Sequence, residues 1–118
     1  MARDLSPEEK EIQELISDTI KENKIVIFMK GSPMQPMCGF SANSSSILSS
    51  LDEPYSYVDV IEIPQARAGV KIFTDWPTIP QIFVNGEFIG GNDILQQMAE
   101  SGELKALVAG EAPAPVEA

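Results

Sequence analysis

Histidine is absent from the 118 residues, and cysteine occurs once, as Cys38. Without imidazole there is no Ser-His-Asp or Cys-His catalysis, no histidine-based zinc site and no histidine pH switch. With one thiol the chain closes no internal disulfide, forms no CxxC redox pair and builds no four-thiolate metal site alone. Basic residues are scarce as well: 8 Lys+Arg stand against 18 Asp+Glu, a net charge of -10. That balance argues against nucleic acid or an anionic membrane surface as the main partner. No apolar run approaches the roughly 18 residues that would span a bilayer. The segment from Met1 to Glu9 has no apolar signal core and is too acidic for a transit peptide, which points to a cytoplasmic protein.

What is present is enough for one packed core. Hydrophobic residues make up 43% of the chain, and the length suits one small domain over 1–109 with an aperiodic tail over 110–118. Ser6-Pro7-Glu8-Glu9 reads as a capped helix start, with Ile12, Leu15, Ile16 and Ile20 forming its apolar stripe. Ile25 to Met29 is a short β-branched run that fits an interior strand covered on both faces. Two prolines and a glycine within Gly31 to Pro36 demand a loop.

After Cys38, the serine-rich stretch suits a linker by composition, while Phe40, Ile47, Leu48 and Leu51 return at helical spacing and favour a helix. Tyr55 to Asp59 alternates as a strand, and Pro64 to Phe73 predicts an amphipathic helix packing through Ala68 and Ile72. Asn85-Gly86 between Gln81–Val84 and Glu87–Ile89 is a hairpin signal. Gly90-Gly91-Asn92-Asp93 opens a last helix carrying Ile94, Leu95 and Met98, which Gly102 interrupts before Leu104. The order α-β-α-β-α-β-β-α, with a right-handed parallel crossover and a late antiparallel hairpin, predicts an α/β, thioredoxin-like three-layer sandwich. Its small mixed four-stranded sheet would carry helices on both faces.

Cys38 has two readings. It is a small core residue, or it is an approachable thiolate at a helix N-terminus, with Lys30 at the end of the preceding strand. The proline-punctuated loop before it and the side-chain-free Gly39 after it favour the second.

Three segments in order, Lys30-Gly-Ser-Pro-Met-Gln-Pro-Met-Cys-Gly-Phe-Ser41, Trp76-Pro-Thr-Ile-Pro80 and Gly90-Gly-Asn-Asp93, resemble the monothiol glutaredoxins of the Cys-Gly-Phe-Ser type. The resemblance runs from about Leu15 to Leu104. It implies that Cys38 is the iron-binding, glutathione-reactive thiol, and that Lys30 and Arg67 meet the glycine carboxylate of glutathione. It further implies a cis bond at Pro80 that turns the Ile79 backbone toward the ligand, and a γ-glutamyl site at Gly91, Asn92 and Asp93. Trp76 is expected to pack rather than to touch ligand.

Many relatives carry a cysteine where this chain has Asn92, and Ser41 stands where dithiol glutaredoxins have their second thiol. The implied function is a glutathione-dependent [2Fe–2S] carrier, loaded by assembly machinery and unloading to client proteins. The cluster would be bridged in a homodimer by Cys38 and glutathione thiols, or held with a BolA-like partner. The alternatives are a monothiol oxidoreductase that removes glutathione through a Cys38 mixed disulfide, and an adaptor without redox chemistry.

Overall fold

The computed structural model describes residues 4–110. The expected tail, apart from Gly110, lies outside the described residues, as do the first three positions.

The helix start is built as its sequence requires. In α1, Pro7–Glu22, the Ser6 hydroxyl accepts the Glu9 N–H at 3.1 Å and the Glu9 carboxylate accepts the Ser6 N–H at 2.9 Å. A full capping box thus satisfies donors that the first turn leaves without partners. The chain continues through β1 (Ile25–Met29), α2 (Gly39–Ser50), β2 (Ser56–Asp59), α3 (Pro64–Thr74), β3 (Gln81–Val84) and β4 (Glu87–Gly90). It ends in α4 (Asn92–Ser101) and α5 (Glu103–Val108), parted at Gly102.

The four strands form one sheet in the order β2-β1-β3-β4. β1 runs parallel to β2 and antiparallel to β3, and β3 runs antiparallel to β4. Asn85 and Gly86 both have positive φ, 53° and 83°, the combination a two-residue hairpin with type I′ geometry needs.

Alternation along β1 sends its side chains into two cores. Val26 and Phe28 pack with Ile16, Ile20 and Val70 on the α1/α3 face. Ile25, Ile27 and Met29 pack with Leu48, Leu95, Leu104 and Val108 under α2, α4 and α5. A strand between two apolar layers gains nothing from polar alternation, which is why all five of its residues are apolar and buried.

Several helix faces differ from expectation. Leu15 is 54% exposed and Phe40 is 62% exposed, while Ile94 also faces solvent. On α2 the buried face is Ser41, Ser44, Ser45 and Leu48. Short side chains let that helix lie close to the sheet, and no described buried side-chain polar atom is left without a partner. On α3 the buried positions are Ala66, Gly69 and Val70, not Ala68 and Ile72. Gly69 sits so tightly under α1 that a Cβ there would come within 2.5 Å of Ile12 Cγ2 and 2.9 Å of Ile16 Cδ1. Close helix approach, rather than hydrophobicity, chose the face.

Candidate functional site

β1 delivers Lys30 at its C-terminal end, and the loop that follows folds back before α2 begins. Gly31 is buried with φ 86°, a left-handed conformation, and a Cβ there would collide with the Gln35 carbonyl and the Met37 backbone. The turn is closed by the Met37 N–H on the Lys30 carbonyl at 2.9 Å and by paired Ser32–Gln35 backbone bonds at 3.1 and 3.2 Å. The Asp59 carboxylate at the end of β2 anchors the loop, accepting N–H groups from Gly31 (3.0 Å), Ile61 (2.9 Å) and Glu62 (3.3 Å). Nothing local in the sequence marked Asp59 for this role. Its partner Gly31 lies on another strand's loop.

Cys38 emerges from that loop as the N-cap of α2, in extended backbone and partly exposed. Its sulfur closes no formed cap bond. The Ser41 backbone N–H nevertheless holds the thiol pKa below its ordinary value, helped by the Phe40 N–H, the Lys30 charge and the Ser41 hydroxyl, against a smaller opposing effect of burial. This is the helix N-terminus acting on an anion. Cys38 is thus a partly exposed residue at a helix N-terminus, outside both apolar cores.

The opposite wall comes from the turn before β3 and the start of α4. The Ile79–Pro80 bond is cis. The buried Gln81 side chain braces that turn: its Nε2 donates to the carbonyls of Trp76 (2.9 Å) and Thr78 (3.1 Å), and its Oε1 lies 2.8 Å from the Thr74 hydroxyl. Two carbonyls on one side fix the amide's orientation, so Thr74 donates to the remaining oxygen.

Ile79, Pro80, Gly91, Asn92 and Asp93 line one open groove, completed by Phe40, Trp76, Thr78 and Ile94. Trp76 packs against Phe88 at 6.0 Å between ring centroids and also edges this groove, more than the packing role expected of it. Gly91 caps α4 without a side-chain bond, leaving the amides of its first turn open. A Cβ on Gly91 would stand 3.4 Å from the Pro80 carbonyl, so glycine keeps the two walls close.

Two polar bonds tie α4 to α2. Asn92 Oδ1 accepts from Ser44 Oγ and from Asn43 Nδ2, each at 2.8 Å. Lys30 stands near the sulfur but does not line the groove, and Arg67 lies exposed on α3, also outside its lining. The structure thus lines one groove with Ile79, Pro80, Gly91, Asn92 and Asp93, and sets Cys38 with Lys30 at the α2 N-terminus, two residues before the groove-lining Phe40; Cys38, Lys30 and Arg67 are not part of the lining itself. Among the described residues no group of three or more Cys, Asp or Glu is arranged to hold a metal ion. No helix is long and apolar enough to cross a membrane among them.

Comparison with known proteins agrees with this geometry. A family model described as Glutaredoxin matches residues 25–89. The chain is 48% identical over 94 residues to Glutaredoxin 4 of Haemophilus influenzae (strain 86-028NP), covering 80% of this chain and 88% of that protein. It is 46% identical over 100 residues to mitochondrial Monothiol glutaredoxin-5 of Schizosaccharomyces pombe, covering 81% and 68% respectively. The solution structure of a monomeric truncated mutant of Trypanosoma brucei 1-C-Grx1 superimposes with a TM-score of 0.77 at 43% identity, covering 83% of this chain and 89% of that one. With the sheet order, the cis-proline wall and a single N-cap thiol all in place, the chain belongs to the glutaredoxin family, among its monothiol members.

Proposed function

We propose that this chain is a cytoplasmic, glutathione-dependent carrier of a [2Fe–2S] cluster, received from assembly machinery and passed to client proteins. The observation that carries the reading is one partly exposed thiol of lowered pKa at the α2 N-terminus, two residues before Phe40 of an open groove, in a chain without a second thiol. A [2Fe–2S] cargo takes four ligands, usually thiolates. One chain provides Cys38; two chains and two glutathione molecules complete the set. A ligand set half supplied by exchangeable small molecules suits transfer better than storage.

In this reading Cys38 is the protein ligand of each subunit. The backbone beside Pro80 at Ile79 pairs with the cysteinyl part of glutathione, Gly91 to Asp93 hold its γ-glutamyl end, and Lys30 and Arg67 take its glycine carboxylate. A BolA-like protein could replace the second copy. Anaerobic reconstitution with iron, sulfide and glutathione tests the proposal. A coloured dimer that requires both Cys38 and glutathione supports it; failure to assemble a cluster sinks it.

The depressed thiol pKa also favours a second reading, deglutathionylation. The Cys38 thiolate attacks the glutathione sulfur of a protein mixed disulfide, and the protein thiolate leaves. A second glutathione thiolate then attacks the Cys38–glutathione disulfide, releasing oxidised glutathione and restoring Cys38. Turnover on a glutathionylated peptide measures this route directly.

A further inference from the structure

We propose that the Asn92 side chain is a fixed hydrogen-bond donor to the γ-glutamyl carboxylate of the ligand, locked in that role by Ser44 and Asn43. The inference rests on the glutathione reading of the groove and assigns a side-chain task within it.

Asn92 is the first residue of α4 and lines the groove. Its Oδ1 accepts from the Ser44 hydroxyl and from Asn43 Nδ2, both at 2.8 Å. A carbonyl oxygen offers two lone pairs, and here both are taken. Ser44 is fully buried, so its hydroxyl has no water to turn to. Asn43 Nδ2 also donates to Gln96 Oε1 at 3.0 Å, so one amide N–H2 group serves both acceptors. Flipping Asn92 would set its Nδ2 against the Asn43 Nδ2, donor against donor. In this arrangement the Asn92 N–H pair is turned away from α2. No described residue accepts from that pair. On a groove wall beside the open amides of the α4 first turn, two further donors match an acceptor-only, anionic group: a carboxylate.

The test uses the exchange between reduced protein and oxidised glutathione, which gives the Cys38–glutathione disulfide plus reduced glutathione. Cys38 is the only thiol, so intact mass spectrometry reads the equilibrium constant directly. The same exchange is run with 4-aminobutyryl-cysteinyl-glycine disulfide, which lacks only the γ-glutamyl carboxylate. The ratio of the two constants isolates that carboxylate from any change in Cys38 itself.

Asn92→Ala is expected to lower the ratio about tenfold, the scale of one hydrogen bond to a charged group, with the loss persisting at high salt. Asn92→Asp is expected to lower it further: it keeps an acceptor for Ser44 and Asn43 but presents an anionic oxygen to the groove. Ser44→Ala is expected to lower the ratio alone and to add nothing on an Asn92→Ala background. An unchanged ratio in Asn92→Ala overturns the inference, whatever happens to stability. A wild-type ratio near one overturns it too, while leaving glutathione binding intact. Failure of the wild type to form the mixed disulfide at all overturns both this inference and the glutathione reading.

Discussion

The Ser41 hydroxyl accepts the Lys30 N–H at 3.0 Å, joining the end of β1 to the first turn of α2. Because the oxygen is occupied as an acceptor, its proton is available to the Cys38 sulfur, where it helps lower the thiol pKa. Ser41 is fully buried, so its removal leaves the Lys30 amide without a partner or nearby water. Ser41→Ala is expected to cost about 1–3 kcal/mol in urea unfolding. It should also raise the Cys38 pKa, though not to the ordinary value, since the Ser41 and Phe40 N–H groups remain. Lost stability with an unmoved alkylation profile would assign the hydroxyl to Lys30 alone.

The lowered Cys38 pKa sets a pH dependence of known sign. A thiol whose folded pKa lies below its unfolded value stabilises the fold when ionised. That contribution is complete above the unfolded value and is lost as pH falls through the folded pKa. The melting-temperature difference between wild type and Cys38→Ala should therefore move in favour of wild type as pH rises from 6 to 9. Iodoacetamide alkylation of the folded protein should reach half its plateau rate at a lower pH than alkylation of the urea-unfolded chain. A midpoint at or above that of the unfolded chain would show that the helix N-terminus does not act on the sulfur.

Two glycines separate packing from reactivity. Gly69→Ala forces a methyl into Ile12 and Ile16 and is expected to destabilise the α1–α3 contact by about 1–3 kcal/mol. Gly39 has open space where a Cβ would stand, so Gly39→Ala should leave the urea midpoint unchanged or raise it slightly. It places a methyl beside Cys38, however, and should slow glutathione exchange. Equal losses of stability in the two variants would contradict this division.

Gly69 also shows where the sequence was readable. Strong local signals were legible: the Ser6–Glu9 capping box, the uninterrupted apolar β1 and the Asn85-Gly86 turn all depend on residues close in the chain. The faces of α2 and α3 were not. Hydrophobicity pointed to Phe40, Ala68 and Ile72, whereas close approach of a helix rewards Ser44, Gly69 and other small side chains. The motif segments pointed to Cys38, Pro80 and Asp93. The groups that hold those segments in place could not be found by spacing, because Ser44 meets Asn92 across 48 positions and Gly31 meets Asp59 across 28. Both are long-range hydrogen bonds, and local periodicity carries no trace of them.

Asp59 gives that long-range contact a measurable consequence. One carboxylate oxygen collects the N–H groups of Gly31, Ile61 and Glu62. Asp59→Ala is expected to cost about 3 kcal/mol, while Asp59→Asn keeps an acceptor oxygen and should cost roughly 1 kcal/mol. Since Gly31 opens the loop that carries Cys38, hydrogen exchange should speed up at Gly31, Ser32 and Met37 in the alanine variant. It should change little in the asparagine variant. Equal exchange in both would mean that the charge, rather than the acceptor geometry, holds the loop.

Gln81 offers the sharpest test of the second wall. Its amide is fully buried and serves the carbonyls of Trp76 and Thr78 and the hydroxyl of Thr74, so it fastens the whole turn that precedes β3. Gln81→Leu fills a similar volume but leaves the Trp76 and Thr78 carbonyls without their side-chain donor, while the Thr74 hydroxyl keeps the Val70 carbonyl, and is expected to cost about 2–4 kcal/mol. Gln81→Glu separates shape from chemistry. The carboxylate keeps the Thr74 bond but sets an oxygen against two carbonyl oxygens, and the buried group is driven toward its protonated form, which supplies one donor where the amide supplied two. The glutamate variant should therefore lose stability as pH rises, because burial raises its folded pKa and ionisation then opposes folding. Glutathione exchange at Cys38 should weaken in both variants while the alkylation profile stays in place, since Gln81 touches the groove wall and not the sulfur. A shift in the alkylation profile instead would mean that the two walls of the site are coupled through the core.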